Sequence, residues 1–80
     1  MKIQLLKGSF DAKEIEKIIT DLIQVKIKFH EEKINNDDEE ETIKMRENRI
    51  IKLQNELMEV RQFIAKTKST IKVDAEIVLS

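Results

Sequence analysis

The chain of 80 residues carries a formal net charge of −1 and contains neither cysteine nor proline. The absence of cysteine excludes disulfide bridges, thiolate zinc sites and cysteine nucleophiles. Because basic and acidic residues are interspersed, no overall field selects nucleic acid or a membrane surface as partner. With 40% hydrophobic residues, 39% charged residues and one glycine, the composition favours long helices with charged outer faces.

Both ends of the chain predict β-strands. Residues 71–79 alternate apolar and polar side chains, and residues 2–7 do so more weakly. Gly8 predicts the end of the first strand, because glycine interrupts regular structure. We expect the strands to pair antiparallel, with their apolar face against the base of a helical hairpin.

Residues 11–34 predict the first helix, and its start carries a capping signal. Asp11 is placed as N-cap, Glu14 completes a capping box, and Phe10 with Ile15 forms a hydrophobic staple. Apolar residues then recur at alternating spacings of three and four, which is a heptad a/d seam. This seam is Ile15, Ile18, Leu22, Val25 and Phe29. Neighbouring isoleucines (Ile19, Ile23, Ile27 and Ile34) widen the apolar stripe, so we expect it to contact more than one neighbour.

Residues 35–38 predict a turn, and residues 38–67 predict a second helix that is acidic at its start and basic at its end. Its seam is Ile43, Ile50, Leu53, Leu57, Val60 and Ile64. We expect Ile15, Leu22 and Phe29 to face Ile50, Leu57 and Ile64. Met45 and Phe63 fall near the opposite face and have no predicted core role.

The resulting prediction is one α+β domain, mostly α, in the order β-α-α-β, with a long antiparallel, coiled-coil-like hairpin. One alternative is a continuous helix in a domain-swapped dimer, since the a positions of both seams stay in phase. Four turn-forming residues at 35–38 favour the hairpin. A domain of this size is marginally stable alone, so we expect a homodimer built as a four-helix bundle, a four-stranded sheet or both.

Candidate sites for chemistry are few. His30, the only histidine, lies near Glu31, Asp37 and Asp38, which makes these four residues weak metal-ligand candidates. Their spacing matches no helical metal site or calcium loop, and a partly buried histidine beside a helix-capping acidic run explains them without a ligand. No nucleophile elbow, P-loop or dinucleotide fingerprint is present, so we expect no enzyme, no catalytic residue and no cofactor.

Residues 27–34 (IKFHEEKI), taken with residues 43–47 (IKMRE), resemble short uncharacterised bacterial proteins with a strand, helical hairpin and strand. The resemblance covers most of the chain and implies the same layout. It implies no activity, cofactor or partner.

The functional expectation is a non-catalytic, self-associating protein–protein interaction or assembly module. The chain shows no signal peptide and no apolar stretch that could span a membrane, so we expect a cytoplasmic location without membrane contact. Besides itself, its partner could be another protein. Two alternatives stay open: a nucleic-acid-associated small regulator, which the interspersed charges disfavour, and a metal- or ligand-responsive module at the hairpin tip.

Overall fold

The computed structural model describes residues 1–36, 39–67 and 69–80 of the chain. These residues form β1 (Lys2–Phe10), α1 (Ala12–Asn35), α2 (Glu40–Ala65) and β2 (Ile71–Val78). The two strands pair antiparallel in one sheet. The predicted β-α-α-β order and the mostly helical α+β fold are therefore confirmed.

Asp11 caps the start of α1, as predicted. Asp11 has an extended backbone conformation and is the N-cap, and its carboxylate accepts a hydrogen bond of 3.2 Å from the backbone N–H of Lys13. This bond satisfies one of the backbone donors that a helix start leaves without a partner. At the other end, the side-chain amide of Asn36 donates to the carbonyl of Glu32 at 3.0 Å.

The two helices run antiparallel within the chain. Near the base of the hairpin, Arg61 Nε lies 3.9 Å from the Glu16 carboxylate. Towards the far end, Arg46 contacts His30. These two contacts join residues equally far from the connection between the helices, so the chain forms a hairpin and not a continuous helix. The predicted turn residues Asp37 and Asp38 lie outside the described residues.

A β-bulge explains the weak alternation of the first strand. Leu6 is opposite Ala75 and Ile3 is opposite Ile77, with the register shift between Gln4 and Leu6. Cross-strand partners share a face, and Ala75 and Ile77 are two residues apart on a regular strand. Ile3 and Leu6 therefore share the apolar face although they are three residues apart, because the bulge adds one residue to β1.

The prediction that Gly8 ends the first strand is wrong. β1 continues to Phe10, and Gly8 pairs with Val73 inside the ladder. Gly8 has φ of +132°, a backbone conformation that other residues rarely adopt. Gly8 therefore permits a local backbone distortion within the strand. Glycine occurs both at such distortions and at strand ends, so the sequence alone does not distinguish the two.

One chain buries little apolar surface. The buried apolar residues among those described are Ile15, Leu53, Leu57 and Ile64. The radius of gyration is 15.2 Å, against about 12 Å for a compact domain of this length. Large apolar side chains that stay exposed are Met1, Ile3, Leu5, Leu22, Val25, Phe29, Met45, Ile51, Met58, Phe63, Ile77, Val78 and Leu79.

Candidate functional site

His30 is the most buried polar side chain among the described residues. Only 3% of its surface is exposed, because α1 directs it against the first half of α2. Its Nδ1 atom lies 2.9 Å from Arg46 Nη1. A guanidinium group can only donate, so Nδ1 accepts and the proton of the neutral ring is on Nε2.

The surroundings of His30 oppose its protonation. Burial of the ring lowers the pKa of His30 below its ordinary value of 6.5, and the positive charges of Arg46, Arg49 and Lys26 lower it further. The neutral imidazole is therefore the dominant form at pH 7. The hydrogen bond from Arg46 fits this form, because a protonated ring has no acceptor.

Phe29 contacts both members of this pair. Its ring meets the His30 ring edge-on, with centroids 5.5 Å apart. Lys33 Nζ lies 5.6 Å from the Phe29 ring centroid and Arg46 Cζ lies 5.7 Å from it. Both distances allow cation–π attraction, which offsets part of the cost of holding Arg46 Nε buried without a hydrogen-bond partner.

A basic pocket opens beside His30. It has a volume of about 310 Å³ and is lined by Lys26, His30, Arg49, Lys52, Leu53 and Glu56. Within the described ranges, neither Lys26, Arg49 nor Lys52 forms an ion pair with a carboxylate. This basic pocket therefore has an excess of positive charge and a neutral histidine in its wall.

Of the predicted metal-ligand candidates, the structure describes His30 and Glu31, and it shows no metal-binding group around them. Among the residues that the structure describes, no group of three His, Asp or Glu side chains could hold a metal ion. Glu31 is exposed, and Asp37 and Asp38 lie outside the described ranges. The cations around His30 would repel a metal ion, and Arg46 already occupies Nδ1.

The predicted seam of α2 lies against α1. Leu53, Leu57 and Ile64 are buried, and the remaining seam residues (Ile43, Ile50 and Val60) are half-buried.

The predicted seam of α1 is only partly used within the chain. Ile15 is buried and Ile18 is half-buried, but the exposed fractions are 44% for Leu22, 69% for Val25 and 50% for Phe29. The buried or half-buried positions are instead His30 and the neighbouring isoleucines, namely Ile19, Ile23, Ile27 and Ile34. The expected facing onto α2 therefore needs correction for Leu22, because the flank of the stripe makes most of the intrachain contact. Phe29 contacts α2 through Arg46, whose Cζ lies 5.7 Å from the ring centroid.

An apolar groove lies between the hairpin base and β2. It measures about 700 Å³, and its apolar lining includes Ile15, Val60, Phe63, Ile71 and Val73. Phe63 is 63% exposed and borders this groove, a role that sequence reasoning missed. The groove also shows that the apolar face of the sheet approaches the hairpin without closing against it.

The Arg46–His30 contact was also missed, although the sequence held a signal for it. A hairpin that closes between Asn35 and Glu40 places His30 opposite a residue at about position 45 or 46. Arg46 is the polar residue there. A heptad pattern is defined by apolar positions, so it indicates no contact between two polar side chains.

Comparison with known proteins adds no family: no protein-family model, curated protein or solved structure matches the chain. In the part of the chain that the structure describes, neither helix combines the length and apolar character needed to cross a membrane.

Proposed function

We propose that the protein is a non-catalytic assembly module of the cytoplasm that works as a homodimer and presents a composite surface to other proteins. The observation that carries this proposal is the exposed part of the α1 seam. Leu22, Val25 and Phe29 keep 44%, 69% and 50% of their surface exposed. Their heptad spacing is the pattern that packs against a second helix, and α2 leaves much of their surface exposed.

The small core supports the same proposal. A domain of about this length buries only about 60% of the surface that its unfolded chain exposes, so its stability is marginal. Here the buried apolar set within the described residues is limited to Ile15, Leu53, Leu57 and Ile64. A second copy would cover further apolar surface and add hydrophobic stabilisation of about 25 cal/mol per Å².

The chemistry at His30 supports a non-catalytic role. A general base needs a free nitrogen with a pKa near the working pH. The Nδ1 atom of His30 already accepts from Arg46, and its surroundings lower its pKa.

The test is the mass in solution, measured by light scattering after size exclusion over a range of concentrations. The wild type should elute at twice the chain mass of 9.4 kDa. Leu22→Asp should give a monomer that keeps its helical circular dichroism, because Leu22 lies outside the intrachain core. Gln24→Asp is the matched control: Gln24 is exposed on the same helix, and this variant should remain dimeric. A wild type that is monomeric throughout would refute the proposal.

A second candidate function is phosphate-group recognition, as in binding of nucleic acid. The specific observation is the basic pocket, in which Lys26, Arg49 and Lys52 have no ion-pair partner among the described residues. The Nε2–H of neutral His30 would add an uncharged donor. Glu56 opposes the proposal, since its carboxylate lines the same pocket.

This candidate predicts binding to DNA or RNA that weakens steeply with salt, because phosphate contacts release counterions. Arg49→Glu should weaken that binding. Lys17→Glu changes the charge equally at an exposed position outside the pocket lining and should have a smaller effect. Equal effects of both variants would contradict a role for this pocket, and no binding at low salt would remove the candidate.

A further inference from the structure

We infer that two copies pair through α1 in antiparallel orientation, with the two-fold axis passing between Leu22 and Val25. The inference rests on the proposed self-association and specifies its partner, orientation and register. It follows from three features of α1: the exposure of the seam, the symmetry of its spacing and the charges beside it.

The seam has the same spacing in both directions. Ile18, Leu22, Val25 and Phe29 follow one another at spacings of four, three and four. A two-fold axis at the midpoint therefore places Leu22 against Val25 of the second copy and Ile18 against Phe29 of the second copy. Each layer pairs a larger with a smaller side chain, which helps facing residues interdigitate. The four residues cover about 17 Å of helix, or three turns.

Charges beside the seam favour this orientation. Asp21 and Lys28 directly precede Leu22 and Phe29, and both are exposed. Within the described part of their own chain, neither forms an ion pair. In the antiparallel register, Asp21 of each copy lies across from Lys28 of the other, which gives two attractive pairs by symmetry.

A parallel, in-register pair would have a charge conflict. There, the residue before Leu22 or before Phe29 faces the residue five positions later on the partner helix. Asp21 would meet Lys26, which is favourable, but Lys28 would meet Lys33 twice by symmetry. Like charges at such positions destabilise a helix pair and select against that arrangement.

The test is charge reversal at the two flanking positions, with dimer dissociation measured by sedimentation equilibrium at low salt. Asp21→Lys and Lys28→Asp should each weaken their own dimer by roughly 10- to 30-fold, since each converts two attractive pairs into two repulsive ones. An equimolar mixture of the two variants should form a heterodimer of near wild-type affinity, because every flanking pair is again attractive. Exposed Lys17→Glu is the charge control and should leave affinity unchanged.

The parallel arrangement gives the opposite result for one variant. Lys28→Asp would then face Lys33 and tighten its own dimer. A tighter or unchanged Lys28→Asp dimer, or a mixture with no recovery of affinity, would overturn the antiparallel register. Self-association itself would still stand if the wild type has the two-chain mass and Leu22→Asp is monomeric, so the two proposals fail separately.

Cysteine cross-linking gives a second readout that does not depend on salt, since the chain has no native cysteine. The antiparallel register places positions 22 and 25 of the two copies within disulfide reach, whereas two copies of position 22 are too far apart. An equimolar mixture of the single variants Leu22→Cys and Val25→Cys should therefore oxidise to a covalent heterodimer, and Leu22→Cys alone should not. Efficient cross-linking by Leu22→Cys alone would overturn the proposal.

Discussion

Acidification should destabilise the folded chain through His30. Its pKa lies below 6.5 in the folded chain because of burial and the charges of Arg46, Arg49 and Lys26. The unfolded chain therefore binds more protons than the folded chain as the pH falls below 6.5. The stability that neutral His30 contributes is fully present above pH 6.5 and declines as the pH falls below it. The decline ends once the pH is below the pKa of His30 in the folded chain.

The magnitude of the decline has an upper limit. One side chain can account for at most one proton, so the slope cannot exceed about 1.4 kcal/mol per pH unit. His30 is the only histidine, and histidine is the side chain whose ordinary pKa lies between pH 5 and 8. The pH range from 5.5 to 7.5 therefore reports on His30 with little interference from other side chains.

The assay is urea unfolding followed by circular dichroism at several pH values and one fixed protein concentration, because dimer stability depends on concentration. The control is His30→Asn, which keeps an acceptor for Arg46 but cannot be protonated. Wild type should lose stability towards pH 5.5, whereas His30→Asn should show a flat profile at lower absolute stability. A flat wild-type profile, or equal slopes for both proteins, would refute the assignment of a buried neutral histidine.

Substitutions at Ile15, Asp11 and Gly8 also test the fold, each by equilibrium unfolding. Ile15→Ala should lower the free energy of unfolding by about 3 kcal/mol, because Ile15 is fully buried. The control Ile51→Ala should lower it by about 1 kcal/mol or less, because Ile51 is 54% exposed. Similar losses for the two variants would contradict the assigned core. Asp11→Ala should cost about 1 kcal/mol through loss of the N-cap, and Asp11→Asn should restore most of it. Gly8→Ala should lower the free energy of unfolding by about 1–3 kcal/mol, because alanine is strained at φ +132°. An added Cβ meets no atom within 4 Å, so the backbone conformation is the expected source of the loss. A neutral result would contradict that conformation.

Local patterns were sufficient to predict the elements and their order. The alternation at 71–79 predicted β2, and the Asp11 cap predicted the start of α1, because both signals act between residues close in the chain. Turn-forming residues between the seams also predicted the hairpin. The end of β1 was misplaced because Gly8 has the same sequence signature at a strand end as at a distortion within a strand.

The sequence by itself determined that α1 has an apolar stripe too wide for a single neighbour. Only the tertiary structure decided which flank of that stripe contacts α2, because helix pairing depends on crossing geometry as well as on spacing. That choice buries His30 against Arg46 and leaves Leu22, Val25 and Phe29 exposed. A heptad pattern indicates that an apolar seam packs against another helix. The fold of the chain determines whether that helix belongs to the same chain or to a second one.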